Sequence, residues 1–172
     1  MKPKLLQAYM KTAETFAELS HAKRLHVGAI VVKDDRIISI GYNGMPAGWD
    51  NNCEYKDYPD KWSNRHEYVD FDYPLQDDDG AYYRLKTRPE VLHAESNAVS
   101  KLARSSESGE GATMFVTHAP CMECSKLIYQ SGIKRVYFSA AYRDDSGVQF
   151  LKQCGIAVEQ MERGPDGKAV DC

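Results

Sequence analysis

Apolar side chains in the first twenty residues recur every third or fourth position, at Leu5, Leu6, Tyr9, Met10, Ala13, Phe16, Ala17 and Leu19. Charged residues (Lys2, Lys4, Lys11, Glu14, Glu18) fill the intervals. That period predicts a first helix over about 3 to 20. The runs 27–32 (V-G-A-I-V-V) and 36–40 (R-I-I-S-I) are β-branched and separated by Lys33, Asp34 and Asp35, a hairpin signal. The stretch 41–48, G-Y-N-G-M-P-A-G, then breaks regular structure. Helical spacing returns from His93 with Ala94, Ala98, Val99, Leu102 and Ala103. The rest of the chain predicts a strand at 112–117, a helix at about 121–131 closed by Gly132, a strand at 134–139, a helix at 144–154 and a last strand at 156–161. Helices alternating with strands imply right-handed crossovers and parallel pairing in the second half. The expected class is therefore α/β, with one mixed five-stranded sheet covered by helices.

Residues 49–90 do not follow this pattern. They hold six of the eleven tyrosines, both tryptophans and the acidic run Asp77, Asp78, Asp79. They read as an insertion with little regular structure, either a solvated loop pinned by aromatics or a lid or subunit contact. The 172 residues are expected to form one domain carrying this insertion. A net charge of -3 gives no support for a nucleic-acid partner. No apolar run approaches the length of a membrane span, and the N-terminal stretch lacks the apolar core of a signal peptide. Five cysteines, an odd number with one C-x-x-C pair, fit a reducing cytoplasm and metal binding better than a disulfide framework.

That pair is the centre of the candidate chemistry. His93-Ala94-Glu95 is followed, after the 24 residues 96–119, by Pro120-Cys121-Met122-Glu123-Cys124. His93, Cys121 and Cys124 make a mixed nitrogen–sulfur ligand set for zinc. Three protein ligands leave a tetrahedral ion one open position, the arrangement of a catalytic site. Water in that position has its pKa lowered from about 15.7 to roughly 7. A structural zinc ribbon would need a second cysteine pair, and a redox pair has no need of the H-x-E element. At the start of a helix, Cys121 and Cys124 face one way, and the helix terminus favours thiolates. Glu95 falls in the first turn after His93, close to the metal and free of it, where it can take a proton from the water and return it to the substrate as general acid and base.

The H-x-E…P-C-x-x-C signature is described for zinc nucleobase deaminases, and the chain resembles the cytidine/deoxycytidylate deaminase superfamily. V-G-A-I-V at 27–31, G-Y-N-G-M-P-A-G at 41–48, H-A-E-S-N-A at 93–98 and the stretch from Gly111 through A-P-C-M-E-C to Q-S-G-I-K at 130–134 carry the resemblance. The loop 41–48 and the Q-S-G-I-K segment resemble the deoxycytidylate (dCMP) deaminases within it. This resemblance implies a three-layer α/β/α fold, a catalytic Zn²⁺ and hydrolysis of dCMP to dUMP and ammonia for dTMP synthesis. It implies that Asn43 binds the sugar 3′-hydroxyl, that Ala94 offers its N–H to the pyrimidine, and that Tyr142 lies beside the nucleotide. Read from the residues alone, Asn43 is equally a turn residue and Tyr142 a strand-end aromatic. Arg24 and His26, with Arg143 behind them, are the candidates for the 5′-phosphate. The resemblance further implies a homo-oligomer, often a hexamer, activated by dCTP and inhibited by dTTP, with Mg²⁺ accompanying the triphosphate. Gly44 and Arg104 are the candidate regulatory residues. Two departures stand out. A second, structural zinc found in some viral relatives would have only Cys53, His21 and His66 to draw on, and Ser96 replaces the usual apolar residue after H-A-E.

Overall fold

The computed structural model describes residues 1–59 and 72–161. Helix α1 (Pro3–Ala17) precedes the hairpin of β1 (Gly28–Lys33) and β2 (Arg36–Tyr42). Asp34 and Asp35 both take positive φ, 50° and 55°. That is the left-handed pair a two-residue type I′ turn needs, and Lys33 pairs with Arg36 across it. The short strands β3 (Glu54–Asp57), β4 (Leu75–Gln76) and β5 (Tyr82–Thr87) follow. The chain then alternates through α2 (Ala94–Leu102), β6 (Thr113–His118), α3 (Met122–Gln130), β7 (Arg135–Ala140), α4 (Ser146–Gln153) and β8 (Ala157–Gln160).

Five strands form one mixed sheet in the order β2-β1-β6-β7-β8. β1 is antiparallel to both its neighbours, and β6, β7 and β8 run parallel. Successive residues of a strand face opposite sides of the sheet, and the two faces have separate cores. On one side Ile30, Val32, Phe115 and Tyr137 meet Tyr9, Met10 and Ala13 of α1. On the other, Ala29, Val31, Met114, Val116, Val136 and Phe138 meet Ala98, Leu102, Ile128, Val148 and Leu151 of α2, α3 and α4. The result is the three-layer α/β/α arrangement, with the candidate site on the three-helix side.

The insertion differs from its expectation. Among the described residues, β3, β5 and β4 form a second, antiparallel sheet. Its strands are polar, so the hydrophobic pattern did not mark them. β5 nevertheless alternates exposed and half-buried positions. Charged side chains tie the strands: Arg84 Nε meets Asp57 Oδ2 directly opposite at 2.6 Å, and Lys56 lies diagonally 4.6 Å from the Tyr83 ring centre. Such pairs stabilise a ladder without a large apolar face.

Candidate active site

Both halves of the metal motif are helix starts. His93 is the N-cap of α2 and Cys121 the N-cap of α3, each with extended backbone. β6 delivers the second half. It ends at His118, and buried Ala119 and Pro120 lead directly into Cys121. Gly147 of α4 makes room for this turn, since a Cβ there would stand 2.2 Å from the Pro120 carbonyl oxygen.

Three attachments to β2 fix the first half. Ser39 Oγ donates to Ala98 O at 2.7 Å, and Asn97 Nδ2 donates to Tyr42 O at 2.8 Å. Gly41 completes the contact, because a Cβ on it would lie 2.0 Å from Ala94 O and 2.7 Å from Ala98 N. Only a glycine lets α2 rest this closely on the strand.

The two helix starts converge. His93 Nδ1 lies 3.4 Å from Cys124 Sγ and 3.6 Å from Cys121 Sγ. All three ligand atoms fall within 4.8 Å of one another, and among the described residues this is the group of that kind. Zinc–sulfur bonds of about 2.3 Å and zinc–nitrogen bonds of about 2.0–2.1 Å at tetrahedral angles place such atoms about 3.6 Å apart. The two nitrogen–sulfur distances therefore match those of a zinc site ligated through Nδ1 of the imidazole.

The protonation of the trio fits a cation as well. A hydrogen bond from Cys124 and another from His93 hold the Cys121 thiol well below the usual thiol range, which favours its thiolate form. The same bond to Cys121, reinforced by burial, pushes the Cys124 thiol up. The hydrogen bond with Cys121 raises His93 above its ordinary value. The sulfurs and the imidazole crowd one small space with the chemistry to hold a dication. The Ser96 N–H hydrogen-bonds Cys124 and lowers its pKa, while Ser96 Oγ donates back to His93 O at 2.9 Å. The hydroxyl contact gives the serine after H-A-E a local role on the His93 carbonyl, while the N–H contact to Cys124 is one any non-proline residue here would make.

Glu95 is 4% exposed, and burial raises its carboxyl to about 7. Its own N–H, the His93 charge and a hydrogen bond with Cys124 oppose that rise. A carboxyl poised near neutrality beside the ligand group is suited to taking up and releasing a proton.

An open cavity of about 280 Å³ lies over this group. His93, Glu95, Cys121 and Ala94 line its floor, and Asn43, Tyr142, Arg24 and Arg143 line its walls. Cys124 is buried beneath. Asn43 accepts the Val27 N–H at Oδ1 (2.8 Å) and donates from Nδ2 to Leu25 O (2.8 Å). Its amide thus holds the wall segment in place, with one Nδ2 hydrogen left over. Arg143 lies over the Tyr142 ring, 5.6 Å from its centre. His26 is exposed and outside the lining, whereas its neighbours Leu25 and Val27 are part of it. Gly44 and Arg104 do not line the cavity, and α2 ends at Leu102, before Arg104.

Three polar lining residues escaped the sequence reading: His118, Glu54 and Thr87. His118 sits three positions before Cys121 on β6 and was legible from that spacing. Glu54 and Thr87 come from the polar insertion strands and carried no signal. Cys53 packs, 1% exposed, with Ala22, Val91 and Met45, and burial pushes its thiol up. That is a core position. Of the other second-zinc candidates, His21 is exposed and His66 lies outside the described residues.

Residues 3–140 match the family model of the cytidine and deoxycytidylate deaminase zinc-binding region, and the chain belongs to that family. It is an enzyme of the deaminase class, a hydrolase of carbon–nitrogen bonds, and its family's zinc-binding character agrees with the His93, Cys121 and Cys124 group. The chain is 34% identical over 161 residues to ComE operon protein 2 of Bacillus subtilis, covering 91% of this chain and 70% of that protein. It is 37% identical over 148 residues to the deoxycytidylate deaminase of Enterobacteria phage T4, covering 77% of each. The crystal structure of dCMP deaminase from the cyanophage S-TIM5, in complex with dCMP and dUMP, matches with a TM-score of 0.75 at 44% identity, covering 94% of this chain and 99% of that one. No helix among the described residues is long and apolar enough to cross a membrane.

Proposed function

We propose that the protein hydrolyses dCMP to dUMP and ammonia with one zinc ion held by His93, Cys121 and Cys124, and so supplies dUMP for dTMP synthesis. The observation that carries this reading is the cavity floor, where a buried carboxyl lies beside a ligand trio spaced for zinc. The 44% identity to a cyanophage enzyme solved with dCMP and dUMP supports the choice of substrate.

Zinc, when bound, supplies the Lewis acidity that makes water a nucleophile at neutral pH. Glu95 takes a proton from that water at its carboxylate. It passes that proton to ring N3 as C4 becomes tetrahedral, takes the second proton from the hydroxyl now on C4, and delivers it to the amine as the C4–N bond breaks and the carbonyl forms. Water and dCMP thus become dUMP and ammonia. Ala94, at the first position of α2, has an N–H without an intrahelical partner, and this N–H meets the pyrimidine. Tyr142 lies against the base. The remaining Nδ2 hydrogen of Asn43 meets the sugar 3′-hydroxyl. Arg24 and Arg143, two guanidiniums in one cavity wall, receive the 5′-phosphate. His26, being outside the lining, has no direct part in this scheme.

The same reading includes one domain with an inserted sheet, a cytoplasmic homo-oligomer, and regulation by dCTP and dTTP with Mg²⁺. Leu127 and Tyr129, 43% and 42% exposed on α3, support assembly. The G-Y-N-G-M-P-A-G loop supports regulation. Ammonia release from dCMP, deoxycytidine, CMP and dCTP, each with and without added dCTP or dTTP, tests the proposal. Preference for dCMP over deoxycytidine is expected. Zinc-loaded protein that does not turn over dCMP overturns it.

A further inference from the structure

Arg24 is gripped at both ends by one cross-strand pair of the insertion. Glu54 on β3 and Thr87 on β5 are directly opposite in the ladder. The Glu54 carboxylate accepts the Lys23 N–H at 3.0 and 3.1 Å and the Arg24 N–H at 3.1 Å. Thr87 Oγ1 accepts from Arg24 Nη1 at 3.0 Å. Arg24, Glu54 and Thr87 all line the cavity over the ligand trio.

We propose that Glu54 and Thr87 are positioning residues for the phosphorylated substrate: the inserted sheet presents Arg24 to the cavity and so sets the preference for a nucleotide over a nucleoside. The inference rests on the dCMP reading above. Arginine is a long, rotamer-rich side chain, and ordering it at the moment of binding weakens affinity. Here the main chain is fixed by Glu54 and the guanidinium by Thr87 before any ligand arrives. The guanidinium carries five N–H donors, and the bond to Thr87 leaves the others for an anion. Glu54 acts through the backbone, so its negative charge is satisfied by N–H groups and does not neutralise the arginine by a direct ion pair. The aromatic-rich insertion thereby gains a role that its composition does not suggest. It forms the wall that holds the anion-binding cation, and it acts on substrate only through Arg24.

The test compares dCMP with deoxycytidine on zinc-loaded, full-length protein. Thr87→Val, close in shape, removes the acceptor for Nη1. It should raise KM for dCMP about three- to tenfold, with a smaller effect on kcat, and lower the dCMP-to-deoxycytidine ratio of kcat/KM by the same factor. Thr87→Ser keeps the hydroxyl and should restore the ratio. Glu54→Gln weakens the backbone clamp and should shift the ratio the same way. In an Arg24→Gln background the Thr87→Val effect should vanish, since the residue it positions is gone. An unchanged ratio in Thr87→Val, or a Thr87→Val effect that persists without Arg24, overturns the inference while leaving dCMP turnover intact. Absence of dCMP turnover in the parent protein is a different result and overturns the functional reading instead.

Discussion

Gly44 and Leu92 exchange two backbone hydrogen bonds, Gly44 N–H to Leu92 O at 3.1 Å and Leu92 N–H to Gly44 O at 2.9 Å, in an isolated antiparallel bridge. Leu92 immediately precedes His93. The glycine-rich loop 41–48 is therefore joined to the main chain one residue from a metal ligand, without an intervening side chain. Asn97 adds a second tie, from the first turns of α2 to Tyr42 O. A ligand that moved this loop would move His93 with it. That connection gives the proposed nucleotide regulation a physical route to the metal group.

Glu95→Gln preserves the shape of the buried side chain and removes its capacity to accept a proton. The variant should bind zinc as the parent does and lose about 10²- to 10⁴-fold in kcat on dCMP, the usual range for a general acid–base group. Elemental analysis and ammonia release on the same sample check it. Turnover close to that of the parent would remove Glu95 from the proton path.

Removing the metal should abolish turnover and also loosen the fold. His93 and Cys121 are the N-caps of α2 and α3, so the ion would cross-link two helix starts whose own direct contacts at this end are sulfur and imidazole contacts above the shared core. A ligand that binds the folded state alone stabilises it by about 4 kcal/mol at a thousand times its dissociation constant. Chelator-treated protein should melt at lower temperature and recover both melting temperature and activity on addition of Zn²⁺. Recovery of neither, in protein that remains soluble, counts against a zinc site here.

Gly41→Ala is expected to harm the site from a distance. Its Cβ would meet Ala94 O and Ala98 N, two rigid backbone atoms, at 2.0 and 2.7 Å. α2 must then shift, and overpacking of this kind costs about 1–3 kcal/mol. Ala94 adjoins His93, so zinc affinity should fall together with the melting temperature. A variant with parental melting and zinc content would show that the helix tolerates the displacement.

What could be read from the sequence follows from the kind of force involved. α1 and the five main strands are written in apolar period, because each buries one face against a core. His93, Cys121 and Cys124 were legible because few side chains bind zinc and their spacing is constrained by helix geometry. Glu54 and Thr87 were not. They lie in polar strands and act on a residue 63 positions from Thr87 in the chain, and no local pattern records such a contact. His26 was a phosphate candidate by type and neighbourhood, and its exposed position outside the lining, between Leu25 and Val27, was not legible from the sequence. Ser96 looked anomalous in sequence, although its hydroxyl bonds locally to His93 O three residues back; only its N–H contact with Cys124 requires the two helix starts to meet.

Asn43 separates two roles that one substitution would confound. Its amide clamps Val27 N and Leu25 O at 2.8 Å each, and the Asn43 N–H donates to Val27 O at 3.0 Å. The segment it holds forms part of the cavity wall and leads into β1. Asn43→Ala leaves the part-buried Val27 N–H and the exposed Leu25 carbonyl without the amide, so it should cost about 1 kcal/mol and lower the melting temperature. The backbone bond survives the change, which favours a loosened wall over an unfolded protein. If the amide also meets the sugar, kcat/KM for dCMP should fall further than for 2′,3′-dideoxycytidine monophosphate, which lacks the 3′-hydroxyl. An equal fall on both nucleotides, alongside the lower melting temperature, would assign Asn43 to the wall alone.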